Sequence, residues 1–408
     1  MAYTFKVGIA ADEHDEFIKN SSYTNLLQSS QWAHVKSDWE NERIGFFKDE
    51  ELVGVASLLI RRLFLPIGFT MIYIPRGPVI DYQDKELVKF VLKTIKEIGK
   101  KKRSIFIKFD PFLKVSTQKI TGNSEEIPST LAIKDLMEDM GLVWSGRVQT
   151  IWDTTQPTFN AVLKSKDFSE ELLSKRVRQN IRTARNKGIE IRIGREDLLD
   201  DFSDLLKKTE ERKSIHLRGK EYYQKILDSY PNDSHIVVAY LDLLKRDELL
   251  SQAVDKLNKE AASFTLSTRP SKVDNYQKEL HRIQVEKEFI KSKIESGVTY
   301  APLAGTLSID FGGTSENIYA GMDDSFSHYQ APLLTWFETA KYAFDRGVKW
   351  QNLGGVEPLL DGGLYHFKSR LNPVIEEYIG EFDLIVSPIL YKIFQAMLKN
   401  RKRLQNKK

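Results

Sequence analysis

The chain has 408 residues, a length that predicts two or three domains. Hydrophobic residues make up 41% and charged residues 29%, so the chain can bury a core and disorder is not expected. The absence of cysteine excludes disulfides, thiolate nucleophiles and cysteine-ligated metals, and it fits a reducing compartment. The N-terminal residues carry charges where an export signal needs an apolar stretch. These features predict a cytoplasmic protein, either free or resting on a membrane face.

The longest apolar run, residues 52–60, is too short to span a bilayer and predicts a β-strand. The net charge is only +4, but basic residues concentrate in two segments. Residues 174–192 contain seven Lys or Arg and one acidic residue, and residues 399–408 contain six Lys or Arg and no acidic residue. Local excesses of this kind attract polyanions such as phosphate groups, RNA or anionic lipid.

The first 150 residues alternate apolar strands with amphipathic helices. Hydrophobic patterning predicts strands at 52–60 and 69–74, a helix at 84–101, a strand at Ser104–Phe109 and a helix at 130–140.

The second half predicts a similar succession, with a strand at 316–320, a helix at 331–346 and a strand at 348–353. Identity between the two halves is weak, but the order of their elements agrees. We therefore predict a tandem duplication of one α/β unit.

Residues 242–297 interrupt the second unit with apolar residues at heptad spacing. Leu243, Leu250, Leu257 and Phe264 recur every seven residues, and apolar positions resume at spacings of three and four after a short turn. Two such helices predict an antiparallel helical-hairpin, or coiled-coil, arm. The arm either contacts a large partner or packs on its own domain.

Three polar residues of the first half are candidates for chemistry. Lys36 lies among aromatic residues and is a candidate phosphate ligand, although a solvated surface lysine is the commoner case. Arg76 lies in a turn braced by Pro and Gly at a strand end, where α/β proteins bind ligands, although an ordinary turn is the alternative. Asp110 ends an apolar strand and is a candidate general base, but an aspartate before proline more commonly caps a turn.

The second half offers two further candidates. Arg212 and Arg218, followed by Tyr222, place two guanidinium groups six residues apart at a helix end, which suits a phosphate. The alternative is a basic helix end favoured by the helix dipole. Within 352–373, two Gly-Gly pairs precede Lys368, which is placed to stabilise a developing oxyanion. Glycine costs stability inside regular structure, so four glycines here need a reason. The alternative is a helix start near Gly363 with an incidental lysine.

Several signatures are missing from the sequence. There is no GxxxxGK[ST] phosphate-binding loop, no GxSxG elbow and no HExxH, and the seven histidines lack ligand spacing. We therefore expect neither a metal nor a nucleotide cofactor.

Seven stretches stand in chain order: QSSQWAHVKSDW, YIPRGPV, KFDP, IRTARNKGIE, RKSIHLR with Tyr222, YAGMDD and NLGGVEP…GGLYHFKSRLNP. Together they resemble the FemABX family of peptidoglycan-branching aminoacyltransferases, with the greatest likeness to its MurM/MurN type. The resemblance covers nearly the whole chain, and several spaced motifs in order are more specific than any one of them.

The resemblance implies an α/β (α+β) fold of two tandem acetyltransferase-like (GNAT) domains. We place the first domain at 1–150, joined by the C-terminal segment 374–408, and the second at 151–373 with the arm at 242–297. It also implies transfer of alanine, serine or glycine from aminoacyl-tRNA to the stem-peptide lysine, or to the first branch residue, of a lipid-linked or UDP-linked muropeptide. DNA is not an expected partner.

The resemblance also implies roles by position. The expected catalytic residues are Lys368, Phe367 and Asp110. The expected acceptor-binding residues are Lys36, Ser37, Asp38, Trp39, Arg76, Arg212, Arg218 and Tyr222. The expected tRNA-binding residues are Lys175, Arg178, Arg182 and Arg185.

Two other functions stay open: transfer from aminoacyl-tRNA to a phospholipid or a protein, and a non-catalytic RNA-binding protein with a coiled-coil arm. The basic C-terminus further predicts docking on anionic membrane, at the inner face of the plasma membrane. The alternative is that residues 391–398 pack on the first domain and only the last ten residues form a solvated tail.

Overall fold

The protein is described by a computed structural model over residues 2–63 and 68–405, with side chains described as far as residue 398. The strands are β1 Tyr3–Val7, β2 Glu40–Lys48, β3 Glu51–Arg62, β4 Thr70–Ile74, β5 Val79–Ile80, β6 Ser104–Phe109, β7 Lys114–Lys119, β8 Ser124–Glu126, β9 Val143–Trp144, β10 Phe159–Lys164, β11 Ile189–Gly194, β12 Ser234–Asp242, β13 Tyr300–Phe311, β14 Thr314–Met322, β15 Trp350–Gly355, β16 Val374–Tyr378 and β17 Phe382–Ile385. The helices are α1 Ala11–Asn20, α2 Ser30–Val35, α3 Lys85–Lys101, α4 Pro128–Asp139, α5 Lys175–Asn186, α6 Leu199–Lys213, α7 Lys220–Ser229, α8 Leu243–Ala261, α9 Pro270–Glu295, α10 Ala331–Asp345, α11 Gly363–Lys368 and α12 Pro388–Gln405.

Two mixed sheets form the framework. The eight-stranded sheet has the order β1-β2-β3-β4-β6-β17-β9, with β5 paired to β3. The nine-stranded sheet has the order β11-β12-β13-β14-β15-β10-β16-β7-β8. Helices cover the sheets because each helix carries an apolar stripe. In α3, for example, Leu87, Val91 and Ile95 are buried and Asp84 caps the first turn.

Each sheet contains one strand–helix–strand unit with parallel strands. In the first sheet β4 and β6 are parallel neighbours joined through α3. In the second sheet β14 and β15 are parallel neighbours joined through α10. These are the two segments whose element order predicted a duplication.

The two sheets exchange strands. β7 and β8, from the first third of the chain, pair into the second sheet, with Lys119 opposite Val374 of β16. Later in the chain, β16 belongs to the second sheet and β17 to the first, where Phe382 pairs with Phe109. The segment after residue 373 therefore contributes to both sheets, a division that differs from the boundaries predicted from the sequence.

An apolar cluster joins the two halves. Trp32 and Val35 of α2 pack in one buried cluster with Phe202 of α6 and Tyr223 of α7. Ser29, which caps α2, lies 2.7 Å from the hydroxyl of Tyr230. Because this contact is mostly apolar and buried, α2 and α7 have a fixed relative position.

Helices α8 and α9 form the arm predicted at 242–297. They run antiparallel, since Arg246 contacts Glu286 at the base and Tyr276 contacts Asn258 nearer the tip. The base packs on its own domain through the ring pair Phe289–Phe326, with centroids 5.1 Å apart.

The C-terminal helix α12 packs on the first sheet along one side. The rings of Tyr391 and Phe394 lie 5.5 and 5.3 Å from the ring of Phe106. Ile389 and Ile393, on another side, are 75% and 51% exposed. The basic side chains of residues 399–408 lie outside the described residues. Within 2–63 and 68–405, no helix combines the length and hydropathy needed to cross a bilayer.

Candidate active site between β14 and β15

The two parallel strands β14 and β15 pair over only three residues each. Their register runs from Thr314 opposite Trp350 to Glu316 opposite Asn352, after which the strands separate. Beyond that point the two strands form no ladder with each other within the described residues; there the Gly354 N–H donates to the Asn352 side chain and the Gly355 carbonyl accepts from Lys368. This separation creates a cleft edge at the end of β15.

Lys368 lies at this edge. Its Nζ donates to the carbonyl oxygen of Gly355 at 2.7 Å and lies 5.6 Å from the ring of Trp336. Burial lowers the pKa of Lys368 to about 7, and the nearby Glu357 carboxylate opposes that shift. The side chain of Lys368 is therefore an ammonium group that loses its proton near neutral pH. It contacts the end of β15 through Gly355. Phe367 stacks edge-to-face on Trp336 and fixes the adjacent turn.

Glu357 fixes the helix that carries Lys368. Its carboxylate accepts hydrogen bonds from the backbone N–H groups of Leu364 and Tyr365, at 3.0 and 2.9 Å, and so caps α11. Gly362 permits this approach, because a Cβ there would lie 2.1 Å from the Glu357 side chain.

Gly354 and Gly363 differ in what a side chain at each position would meet. Gly354 has a φ of +86°, and a Cβ there would lie 3.2 Å from Nζ of Lys368. Both the backbone conformation at position 354 and the nearby Lys368 therefore favour glycine there, despite its cost in stability. At Gly363, by contrast, a Cβ would meet nothing within 4 Å.

A second cationic cluster lies between α2 and α7. Lys36 donates from Nζ to the hydroxyl of Tyr222 at 2.8 Å and lies 4.8 Å from the ring of Trp32. The guanidinium of Arg218 lies 5.1 Å from the Tyr222 ring. Burial and the neighbouring Arg218 lower the pKa of Lys36 to about 8, against the pull of Asp38. Lys36 and Arg218 both lie beside the Tyr222 ring, at 5.2 and 5.1 Å from its centroid, and two neighbouring cations form a site suited to an anion.

The other predicted acceptor residues each make a different contact. Ser37 accepts a hydrogen bond from Lys225 of α7. Asp38 is exposed, and Trp39 lies under the guanidinium of Arg61, 5.4 Å away. Arg212 ends α6 and makes a 3.4 Å ion pair with Asp324.

The Lys36 cluster also contacts β14. The ring of Tyr222 lies 6.3 Å from the ring of Tyr319, a residue of β14. The strand β14 therefore contacts the Lys36 cluster through Tyr319 and borders the Lys368 edge beyond Glu316.

Arg76 and Asp110 form a buried ion pair. The Arg76 backbone N–H donates to Asp110 at 3.0 Å, and their charged groups are 3.7 Å apart. The guanidinium also donates to the carbonyl of Pro157 and lies 4.9 Å from the ring of Tyr378. Burial raises the pKa of Asp110 to about 6, although Arg76 opposes the shift. These contacts favour a structural role for both residues over the roles implied by position.

A half-buried carboxylate that belongs to no predicted motif lies where β14 and β15 part. Glu316 accepts from Asn352 at 2.8 Å and from Asn25 of the first half at 3.1 Å. Burial raises the pKa of Glu316 to about 7, with Arg76 opposing. This network ties the opening of the cleft to the first half. The one sign of this network in the sequence is that Asn352 begins the glycine-rich stretch.

The predicted RNA-binding helix α5 exposes its cations unequally. Lys175 and Arg182 are exposed. Arg178 donates to the carbonyl of Glu171, and Arg185 is held by Glu170 and Glu338 at 2.7 and 2.9 Å. The helix therefore presents fewer free charges than its sequence spacing predicts.

Comparison with known structures defines the class. A tandem GNAT protein from the clavulanic acid biosynthesis pathway has the same fold, with a TM-score of 0.51 and 8% identity, covering 95% of this chain and 99% of that one. A crystal structure of FemX aligns with a TM-score of 0.74 and 26% identity, covering 96% of this chain and 99% of that one. The protein therefore has two tandem acetyltransferase-like units, which confirms the predicted fold class.

The sequence comparisons give the family. The FemAB family profile matches residues 9–399. The lipid II:glycine glycyltransferase of Staphylococcus aureus (strain MRSA252) is 27% identical over 414 residues, covering 96% of this chain and 95% of the relative. The same enzyme from strain USA300 shows the same identity and coverage. The chain belongs to the FemAB family, and the resemblance found in its motifs is confirmed.

Proposed function

We propose that this protein is an aminoacyltransferase that forms the interpeptide branch of peptidoglycan. It takes an amino acid from aminoacyl-tRNA and joins it to the stem-peptide lysine, or to the first branch residue, of a lipid-linked precursor. The observation that carries the proposal is Lys368 at the parting of β14 and β15 in a FemAB-family chain. Relatives of near-full coverage named lipid II:glycine glycyltransferase support the acceptor.

In the proposed reaction, the neutral amine of the acceptor attacks the ester carbonyl carbon. A C–N bond forms, the carbonyl oxygen takes up negative charge, and the tetrahedral intermediate then breaks its C–O bond to the ribose of the tRNA. The proton lost by the amine ends on the departing ribose oxygen. Protonated Lys368 is placed to donate to the oxyanion, and an ammonium has a donor to spare beyond the one bound to Gly355.

The Lys36 cluster supplies the acceptor's anchor in this proposal. Lys36, Arg218 and Tyr222 form a polar, cationic floor that suits the diphosphate of the precursor. Exposed cations of α5, namely Lys175 and Arg182, suit the tRNA backbone. Catalysis then rests on holding two large substrates against one carbonyl. We place the protein at the inner membrane face, where such an acceptor is found.

A transfer assay tests the proposal. Purified protein is given radiolabelled Ala-, Ser- or Gly-tRNA with either unbranched or singly branched lipid-linked precursor, and the same donors with a UDP-linked precursor. We expect label in the precursor with one of the three donors. Label found instead in phospholipid or protein selects the rival transferase. RNA binding without transfer to any acceptor selects the non-catalytic hypothesis.

A further inference from the structure

A groove of about 750 Å³ lies beside the helix that carries Lys368. Its walls come from four places that are distant in sequence: the start of α5 with the residues just before it, the residue that precedes α10, the turn that follows α11, and the tip of the exchanged β7–β8 hairpin. The polar residues that define it are Arg176, Asn180, Gln330, Ser369, Arg370 and Thr121.

The groove carries positive charge that nothing in it neutralises. Arg176 and Arg370 both line it, and its lining contains no Asp or Glu. Neither guanidinium forms an ion pair within the part of the chain that the structure describes. Arg370 instead donates to the neutral amide oxygen of Gln330 at 2.9 Å. Burial, and then the neighbouring Arg176, lowers the pKa of Arg370, as expected for two cations that face each other without a counter-ion.

The groove begins next to the reacting centre. Arg370 follows Lys368 by two residues in the continuous turn of Ser369–Leu371, so the chain advances only about 3–4 Å between them. The two side chains diverge: Lys368 contacts Gly355 at the end of β15, whereas Arg370 contacts Gln330 at the start of α10. Ser369 and Arg370, which directly follow Lys368, both line the groove, so a polymer whose ester lies beside Lys368 has this cationic groove within reach.

The groove lies on a different face of α5 from the outward cations. Arg176 and Asn180 are four residues apart and both line it. Arg178 and Arg182, also four apart, are not part of its lining. One helix thus offers two basic surfaces, and only one of them adjoins Lys368.

We propose that this groove binds the phosphodiester backbone at the single-stranded 3′ end of the donor RNA, with Arg176 and Arg370 each contacting a phosphate. Guanidinium forks match phosphate oxygens, and single-stranded nucleic acid follows cationic grooves. The hydroxyl and amide groups of Thr121, Ser369 and Asn180 supply further hydrogen bonds. The inference rests on the proposed function, since it assigns a place to the donor of that reaction.

Direct RNA binding tests the assignment without turnover. A labelled single-stranded RNA ending in CCA is titrated by anisotropy against the full-length protein, Arg176→Ala, Arg370→Ala and the double variant, at several salt concentrations. We expect each single change to weaken binding about tenfold, and the slope of log K against log salt to fall by about 0.7 per lost phosphate contact. A matched control, Arg62→Ala with Lys89→Ala, removes two exposed charges of the first half and should stay within about twofold.

Arg370→Lys keeps the charge and should recover part of the affinity, which a loss of folding would not allow. Unchanged affinity and salt slope in the double variant would overturn the assignment. So would weaker binding of a diphosphate-containing acceptor with RNA binding intact, because the groove would then belong to the acceptor. The proposed function fails separately, if unaltered protein binds this RNA yet transfers nothing from charged tRNA.

Discussion

The Nζ of Lys368 donates to the backbone carbonyl of Gly355 across 2.7 Å, joining α11 to the end of β15. An ammonium has three donors, so this contact orients the group while leaving two donors for a substrate. The same contact removes the amine from bulk water, and burial is the main cause of its pKa of about 7. The burial of the Lys368 amine against Gly355 therefore sets both its position and its lowered pKa.

Replacing that amine should affect chemistry more than binding. We expect Lys368→Met to lower kcat by about 10²–10³ and to leave acceptor affinity nearly unchanged, because an oxyanion contact acts mainly in the transition state. Single-turnover rates and acceptor titration measure the two effects. Lys341→Met, at an exposed position of α10 where the amine pairs with Asp345, is the control. Wild-type turnover in Lys368→Met would exclude the role.

The low pKa of Lys368 predicts a particular pH profile. Below about pH 7, kcat/KM for the acceptor should rise with pH, because more of its amine, with a usual pKa of about 10.4, is neutral. Above that pH it should level off, since protonated Lys368 is lost as fast as free amine is gained. In the variant Lys368→Arg the guanidinium stays protonated, so a slower enzyme should keep rising to about pH 9. A continued rise in the unaltered protein would contradict an acidic role for Lys368.

The Lys36 cluster should govern acceptor affinity. Lys36→Ala and Arg218→Ala should each weaken precursor binding roughly ten- to hundredfold and make it less sensitive to salt, because each removes a charged phosphate partner. Arg212→Ala should cost less, since Arg212 is already paired with Asp324. Lys208→Ala, on the same helix and paired with Asp323, is the matched control. If all four variants bound the precursor with equal affinity, Lys36 would be an ordinary surface lysine with no role in acceptor binding.

Asp110→Asn separates a structural carboxylate from a catalytic base. The neutral amide of this variant leaves the Arg76 guanidinium buried without its counter-ion, so we expect the free energy of unfolding to fall by about 3 kcal/mol. Turnover of the folded variant should change little. Denaturant unfolding and initial rates measure both. Asp345→Asn, which breaks an exposed pair, should cost less than about 1 kcal/mol. Lost turnover with unchanged stability would support the base role.

Deleting residues 399–408 should weaken membrane binding. The deletion removes the basic tail, whose residues are each worth about 1 kcal/mol near an anionic surface. The exposed Ile389 and Ile393 of α12 stay in place as an apolar contact. Co-sedimentation with anionic and neutral vesicles at two salt concentrations gives the answer. Equal binding by both forms, or binding that salt does not weaken, would remove the tail as the anchor.

Local patterns predicted the elements that local physics determines. The apolar period of 84–101 matches α3, which begins one residue after its capping Asp84. The heptads of 242–297 match two antiparallel helices. The alternative interpretation of the glycine-rich stretch, a helix start near Gly363, matches α11. In each case the signal and the structure lie within the same few turns.

Contacts between distant segments were beyond that kind of reasoning. Asn25 and Glu316 are 291 positions apart, and neither carries a motif. For Lys36 the residues alone made a solvated surface lysine the commoner case, and its contact with Tyr222, 186 positions away, follows from no local pattern. Likewise, the charge on α5 was visible in the sequence, but the carboxylates that hold Arg185 were not.

The strand exchange constrains how such a protein can change over generations. Recombination that replaced one half with a foreign homologue would break the pairing of β7 with β16, or of β17 with β6, and leave unpaired strand edges that favour aggregation. The two copies of the unit are therefore inherited as one module.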